Sequence, residues 1–119
     1  MYTVINMPRP TKISESPPAA VAETLERLGR NIRTARLRRK LPQADLAQRM
    51  GVSRFVVADI ERGKPTTGVA AYIGALWVLG LLSHMRDVAD PDHDEEGKTL
   101  ERARSSGTAR RPRSLSDEF

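Results

Sequence analysis

The sequence predicts an all-α fold, a compact bundle of five helices with a flexible tail at each end. Two observations carry this expectation. Apolar residues recur at helical spacing, with Val21, Leu25, Leu28, Ile32 and Ala35 separated by 4, 3, 4 and 3 positions. Residues 41–63 then hold two short helical patterns joined by the three-residue turn Gly51-Val52-Ser53.

Taken in order, residues 1–16 carry Pro8 and Pro10 and little periodicity, and read as a flexible N-terminal arm. The start of that arm, Tyr2-Thr3-Val4-Ile5, has the β-propensity to pair with a second subunit; the alternative is a frayed end. Ser16-Pro17-Pro18 is a helix-start signal, a capping hydroxyl followed by prolines. Prolines are tolerated in a first turn because the N–H they lack would have no helical partner there. The long helix that follows reaches about Lys40. Its last turn is crowded with Arg38, Arg39 and Lys40, the sign favoured at the negative end of a helix dipole. Pro42 stands at the first position of the next helix.

In the two short helices, Leu46, Ala47 and Met50 form one apolar stripe, and Val57 and Ile60 form a second. Gly51 sits where the first must stop, because glycine takes the left-handed conformation without steric cost. Ser53 is placed to cap the second. Helices of about two turns are unstable alone, so they must pack across each other on a third element. That is the geometry of a helix-turn-helix, whose second helix lies in the DNA major groove. Lys64-Pro65-Thr66-Thr67-Gly68 reads as a loop ending in a capping threonine. Val69, Tyr72, Ile73, Leu76 and Leu79 predict a fourth helix stopped by Gly80. Residues 82–89 predict a fifth, ended by Asp90-Pro91. Residues 90–119 read as an acidic-then-basic tail.

A chain of 119 residues fits one domain with tails. The absence of cysteine excludes disulfides and thiolate metal sites and suits a reducing cytoplasm. No apolar run approaches the roughly 20 residues of a membrane span, and no signal-peptide core is present, so the expected location is cytoplasmic, on the nucleoid when bound to DNA. The formal net charge of +5 permits a polyanionic partner. Its distribution says more. Arg27, Arg30, Arg33, Arg36, Arg38, Arg39 and Lys40 follow one another with no acid between them, whereas residues 87–96 are acidic and residues 98–113 basic again. A solvated face is the plain reading of any one block. Beside a helix-turn-helix, the first becomes a phosphate-facing edge.

Residues 28–82 resemble the Cro/C1-type, or Xre-family, helix-turn-helix of lambdoid phage repressors and many bacterial regulators. The match rests on Gln43-Ala44-Asp45-Leu46-Ala47 opening the first motif helix, Gly51-Val52-Ser53 as the turn, and Ile60-Glu61-Arg62-Gly63 closing the second. The resemblance implies a lambda-repressor-like domain over residues 17–89, with its motif at 42–62, and the work of a sequence-specific transcriptional regulator, a repressor. It implies a buried structural ion pair between Arg36 and Glu61. It places Gln43 on the DNA backbone and as a brace of the recognition helix, Ser53 near phosphate, and Arg54, Phe55 and Asp59 toward bases. Arg62 and Lys64 add charge for the backbone. Arg54 suits the O6 and N7 acceptors of guanine, Phe55 offers apolar contact such as to a thymine methyl, and Asp59 accepts from a cytosine amino group. The chain departs from the family at Phe55, Val56 and Asp59, where Gln, Thr, Asn or Arg are common, and at Pro42, where a capping Thr, Ser or Asn is usual.

Such proteins read palindromic operators as homodimers. Trp77, Leu81, Leu82 and Met85 are the candidate dimer surface, being more apolar side chains than so small a bundle hides; core burial is the competing reading of Trp77. Residues 64–82 followed by 87–91 look like HipB-type antitoxins. That resemblance implies autoregulation of a toxin–antitoxin operon and a HipA-type serine/threonine kinase as a second partner. The alternative function is a protein-interaction module that neutralises a partner, with degenerate DNA reading, which Phe55, Val56 and Asp59 favour. Residues 90–101 mimic a calcium loop superficially, but Glu95 stands where the sixth-position glycine is needed. No nucleophile elbow or phosphate-binding glycine loop is present. No enzyme activity, cofactor or metal is expected.

Overall fold

The computed structural model describes residues 11–107. Among the described residues every regular element is helical. The segment Tyr2-Thr3-Val4-Ile5 and the basic residues from 108 onward lie outside them. The chain divides into two compact units, one ending at Ser83 and the other beginning at His84.

The first unit holds α1 (Lys12–Glu15), α2 (Ala19–Arg38), α3 (Gln43–Met50), α4 (Arg54–Glu61) and α5 (Val69–Val78). Helix α1 corrects the reading of residues 1–16 as an arm throughout. Thr11 and Ser14 form a reciprocal capping box, with the Thr11 N–H donating to Ser14 Oγ at 2.8 Å and the Ser14 N–H to Thr11 Oγ1 at 3.3 Å. Ser16 closes α1 instead of opening α2, its N–H donating to the Lys12 carbonyl at 2.9 Å. Pro18 is the residue before α2, and its carbonyl accepts from the N–H groups of Val21 and Ala22, both at 3.0 Å.

The core draws Ile32 and Ala35 from α2, Leu46 and Ala47 from α3, Val57 and Ile60 from α4, and Tyr72, Ala75 and Leu76 from α5, with Leu79 just beyond. Ile32, Leu46, Val57 and Ile60 are fully enclosed. Val69, counted by its spacing with the buried stripe of α5, is instead 69% exposed. It is the first residue of the helix and precedes Tyr72, the first α5 side chain in the core.

All four of these longer helices end the same way. A residue at the cap or just after it takes a left-handed conformation, and two N–H groups reach back to the last free carbonyls. In α3 they are Gly51 to Gln48 at 3.1 Å and Val52 to Ala47 at 2.9 Å; in α4, Gly63 to Ile60 at 2.9 Å and Lys64 to Asp59 at 3.0 Å. The left-handed residue of α2 is Lys40, at φ 51°, a position where α3, α4 and α5 use glycine. The starts are plainer. Pro42, Ser53 and Gly68 precede α3, α4 and α5, and none supplies a side-chain cap. Pro42 is therefore outside α3, the Ser53 hydroxyl does not cap α4, and Gly68, not Thr67, precedes α5.

Two glycines bring α2 and the end of α4 together backbone to backbone. A Cβ on Gly29 would meet the Ile60 carbonyl oxygen at 2.5 Å, and one on Gly63 would meet the Leu25 carbonyl oxygen at 2.5 Å. The second motif helix is thus seated directly on the long helix.

The stretch expected as a fifth α-helix over residues 82–89 is a 3-10 segment, Leu82–Asp87, followed by Ala89 at φ 58°. Left-handed residues at Gly80 and Ala89 bound the segment, and Pro91 holds Asp90 in the extended region, so no α-helix runs through to residue 89. In the second unit a short 3-10 turn, Pro91–His93, begins at Asp90, whose Oδ1 accepts from the Asp92 N–H at 2.9 Å. Helix α6, Glu95–Gly107, follows, and corrects the reading of residues 90–119 as a tail throughout. Asp94 starts it: Oδ1 accepts from the Gly97 N–H at 2.9 Å and the carbonyl from the Lys98 N–H at 3.0 Å. Glu95 and Glu96 in the first turn suit the positive end of the helix dipole, and Lys98 pairs with Glu95 at 3.1 Å.

Candidate nucleic-acid interface

Helix α4 has an inner and an outer face. Val57, Ile60 and Glu61 turn inward and are buried. Arg54 and Phe55, in the first turn, turn outward, Phe55 with 69% of its surface exposed. The Arg54 guanidinium lies over the Phe55 ring, 5.4 Å from the ring centre, within the range of a cation–π contact. Ser53 is exposed at the same end.

The inner end of α4 is anchored by charge. Arg36 and Glu61 are 7% and 8% exposed. Arg36 Nε donates to Glu61 Oε2 at 2.6 Å and Nη2 to Oε1 at 3.0 Å, a two-pronged pair. A third guanidinium N–H, from Nη1, reaches the Leu41 carbonyl at 2.9 Å. Glu61 Oε1 also accepts from Gln43 Nε2 at 3.0 Å. One carboxylate therefore ties α4 to α2 and to the first residue of α3. No buried side-chain nitrogen or oxygen among the described residues lacks a partner. Arg36 is the one member of the basic run from Arg27 to Lys40 that turns inward; Arg27, Arg30, Arg33, Arg38, Arg39 and Lys40 are exposed.

The same C-terminal turn of α4 carries a second cluster on its more exposed side. Asp59, half-buried, pairs with Arg62 one turn on and with Lys64 Nζ at 3.5 Å. The residue read as an acceptor for cytosine is thus taken up by the two cations read as backbone contacts. Tyr72, buried in α5, donates its hydroxyl to the Lys64 carbonyl at 2.9 Å and pins the loop that leaves α4. Burial, and then the negative charge of Asp59, push the Tyr72 phenol above the ordinary tyrosine range. Sequence reasoning assigned Tyr72 to the core and missed this second task. The available signal is that a tyrosine on a buried stripe must place its hydroxyl against an acceptor.

Of the residues read as a dimer surface, Trp77 is 62% exposed, Leu82 is exposed and Leu81 is half-buried. Met85, half-buried, belongs to the second unit. In that unit Asp87, Asp90 and His93 bring one ligand atom each within 4.8 Å of one another. Asp90 already serves there as the cap of Pro91–His93. No helix among the described residues is long and apolar enough to cross a membrane.

No curated protein and no solved structure matches this chain. The family model of a helix-turn-helix domain matches residues 27–89, more than half of the chain. That span holds the buried anchor, the glycine turn and the outward first turn of α4, and the chain belongs to this family of DNA-binding helix-turn-helix domains.

Proposed function

We propose that the chain is a sequence-specific transcriptional repressor that binds a palindromic operator as a homodimer. The observation that carries this reading is the division of labour on α4. Its inner face is buried and fixed by the Arg36–Glu61–Gln43 network, while Arg54 and Phe55 are left outside at the N-terminal end. In a helix-turn-helix that end meets the base edges. A rigid inner anchor holds the outer side chains in one geometry, which base discrimination requires.

Around this helix, Ser53 and the start of α3 at Gln43 face phosphate, with Arg38, Arg39 and Lys40 supplying charge nearby. A second copy supplies the second half-site, and the exposed apolar side chains Trp77 and Leu82 are the surface for joining it. In its finer form this reading makes the chain the antitoxin of a HipA-type kinase, repressing its own operon.

The test is a salt titration of binding to the DNA upstream of the chain's own gene, against scrambled DNA of equal length. Tighter binding to the upstream DNA, with log affinity falling by about 0.9 per phosphate contact against log salt, supports the repressor. Equal and weak binding to both DNAs would overturn it in favour of a protein-binding module.

A further inference from the structure

We infer that the Arg54–Phe55 pair reads one base step, a guanine adjoining a pyrimidine that carries a C5 methyl group. This rests on the proposed DNA reading and names its target.

Three observations converge. First, Arg54 makes no hydrogen bond to an acceptor among the described residues, and its recorded contact is the ring of Phe55. A contact with a ring uses up none of the guanidinium's N–H donors in a hydrogen bond, so its fork stays available. A fork of that kind matches the O6 and N7 acceptors that guanine presents in the major groove. Second, Phe55 has no polar atom to offer, yet it is 69% exposed beside Arg54. An apolar ring next to a base-reading fork finds one apolar group in the major groove, the C5 methyl of thymine or of 5-methylcytosine. Third, guanidinium and ring centre lie 5.4 Å apart at the same end of α4. Base pairs stack about 3.4 Å apart, so a separation this short is compatible with contacts to neighbouring pairs. Asp59 adds no third contact, because Arg62 and Lys64 occupy its carboxylate. In unmodified DNA the recognised element is a thymine beside a guanine.

The experiment uses the full chain. Selection from a random duplex library is followed by affinity measurements on the enriched site with single-base analogues. The expected consensus contains a thymine–guanine step in each half-site. Replacing that guanine by 7-deazaguanine, which lacks the N7 acceptor, lowers affinity about fivefold or more. Replacing the thymine by uracil, which removes only the methyl, lowers it about fourfold. Cytosine in place of thymine, opposite guanine, binds weakly, and 5-methylcytosine recovers the uracil-sized loss. In Phe55→Ala the thymine and uracil sites bind alike while the guanine preference stays; in Arg54→Ala the guanine preference goes. An enriched site without the step, or uracil equal to thymine in the unaltered protein, overturns the inference while leaving DNA binding intact. Failure to enrich any site overturns both this inference and the repressor reading.

Discussion

Gly29 lies directly against the Ile60 carbonyl, which a Cβ on Gly29 would meet at 2.5 Å, with the Glu61 carbonyl oxygen at 2.7 Å. Both neighbours are backbone, so no side chain can rotate out of the way. In Gly29→Ala helix α4 must lift from α2, carrying Arg54 and Phe55 with it. The expected loss is about 2–3 kcal/mol of stability, read from the urea midpoint, together with weaker binding to every DNA. An unchanged midpoint would mean that the two helices separate more easily than this contact implies.

Arg36 and Glu61 are buried partners, and removing one strands the other. Arg36→Met should cost about 3–5 kcal/mol. The double variant Arg36→Met with Glu61→Leu removes both charges and should recover most of that loss, since an apolar pair of similar volume is no worse than an ion pair in a core. Gln43 loses its acceptor in the double variant and remains half-exposed to water. Urea denaturation of the single and double variants decides it: a double variant no more stable than Arg36→Met would refute the stranded-charge account.

The core of the first unit was legible because its stripes repeat at helical spacing: Ile32, Ala35, Leu46, Val57, Ile60 and Leu76 are all buried where periodicity put them. The turn was legible because Gly51 marks the one residue between the short helices that takes a left-handed conformation. The seating of α4 on α2 was not, because a glycine inside a long helical pattern carries no sign of what its bare Cα touches. Helix α6 was missed because it is polar on every side, with Leu100 63% exposed, so apolar periodicity had nothing to register. Its start signal, Asp94 followed by two glutamates, was present but lay inside an acidic run. The cluster of Asp59 with Arg62 and Lys64 was hidden for another reason: Lys64 lies past the helix end, where helical spacing no longer says which side chains meet.

Tyr72 links the stability of the domain to alkaline pH. Its phenol is held above the ordinary tyrosine range by burial and by Asp59, so the unfolded chain ionises first, near pH 10. From there upward the folded state binds the proton that the unfolded state has lost. The stability this tyrosine contributes is therefore present below that pH and lost as pH rises through the raised value. Tyr72→Phe leaves the Lys64 carbonyl without its donor and should cost about 1 kcal/mol at neutral pH. The same variant should show a shallower alkaline decline. Melting curves from pH 7 to 11 test both, and an equally steep decline in Tyr72→Phe would place the titrating group elsewhere.

Asp59 restrains two cations beside the proposed DNA face. Asp59→Asn removes a negative charge and releases Arg62 and Lys64. Affinity for DNA of any sequence should rise, and the dependence of log affinity on log salt should steepen by about 0.9 for each phosphate newly met. Sequence preference should not change. A fall in affinity confined to sites with one particular cytosine would instead make Asp59 a base reader.

Trp77 offers the sharpest test of the proposed dimer. At 62% exposure it contributes little to the fold of a single copy, so Trp77→Glu should leave the urea midpoint of the monomer nearly unchanged. At an interface the same side chain is of the type that dominates binding energy, and its loss should weaken association by about 2 kcal/mol or more, roughly thirtyfold in the dissociation constant. Sedimentation across a concentration series measures that shift. Operator binding should then lose the contribution of the second half-site, while affinity for an isolated half-site stays as it was. If Trp77→Glu sediments as the unaltered chain does and binds the full operator equally well, the dimer forms through another surface.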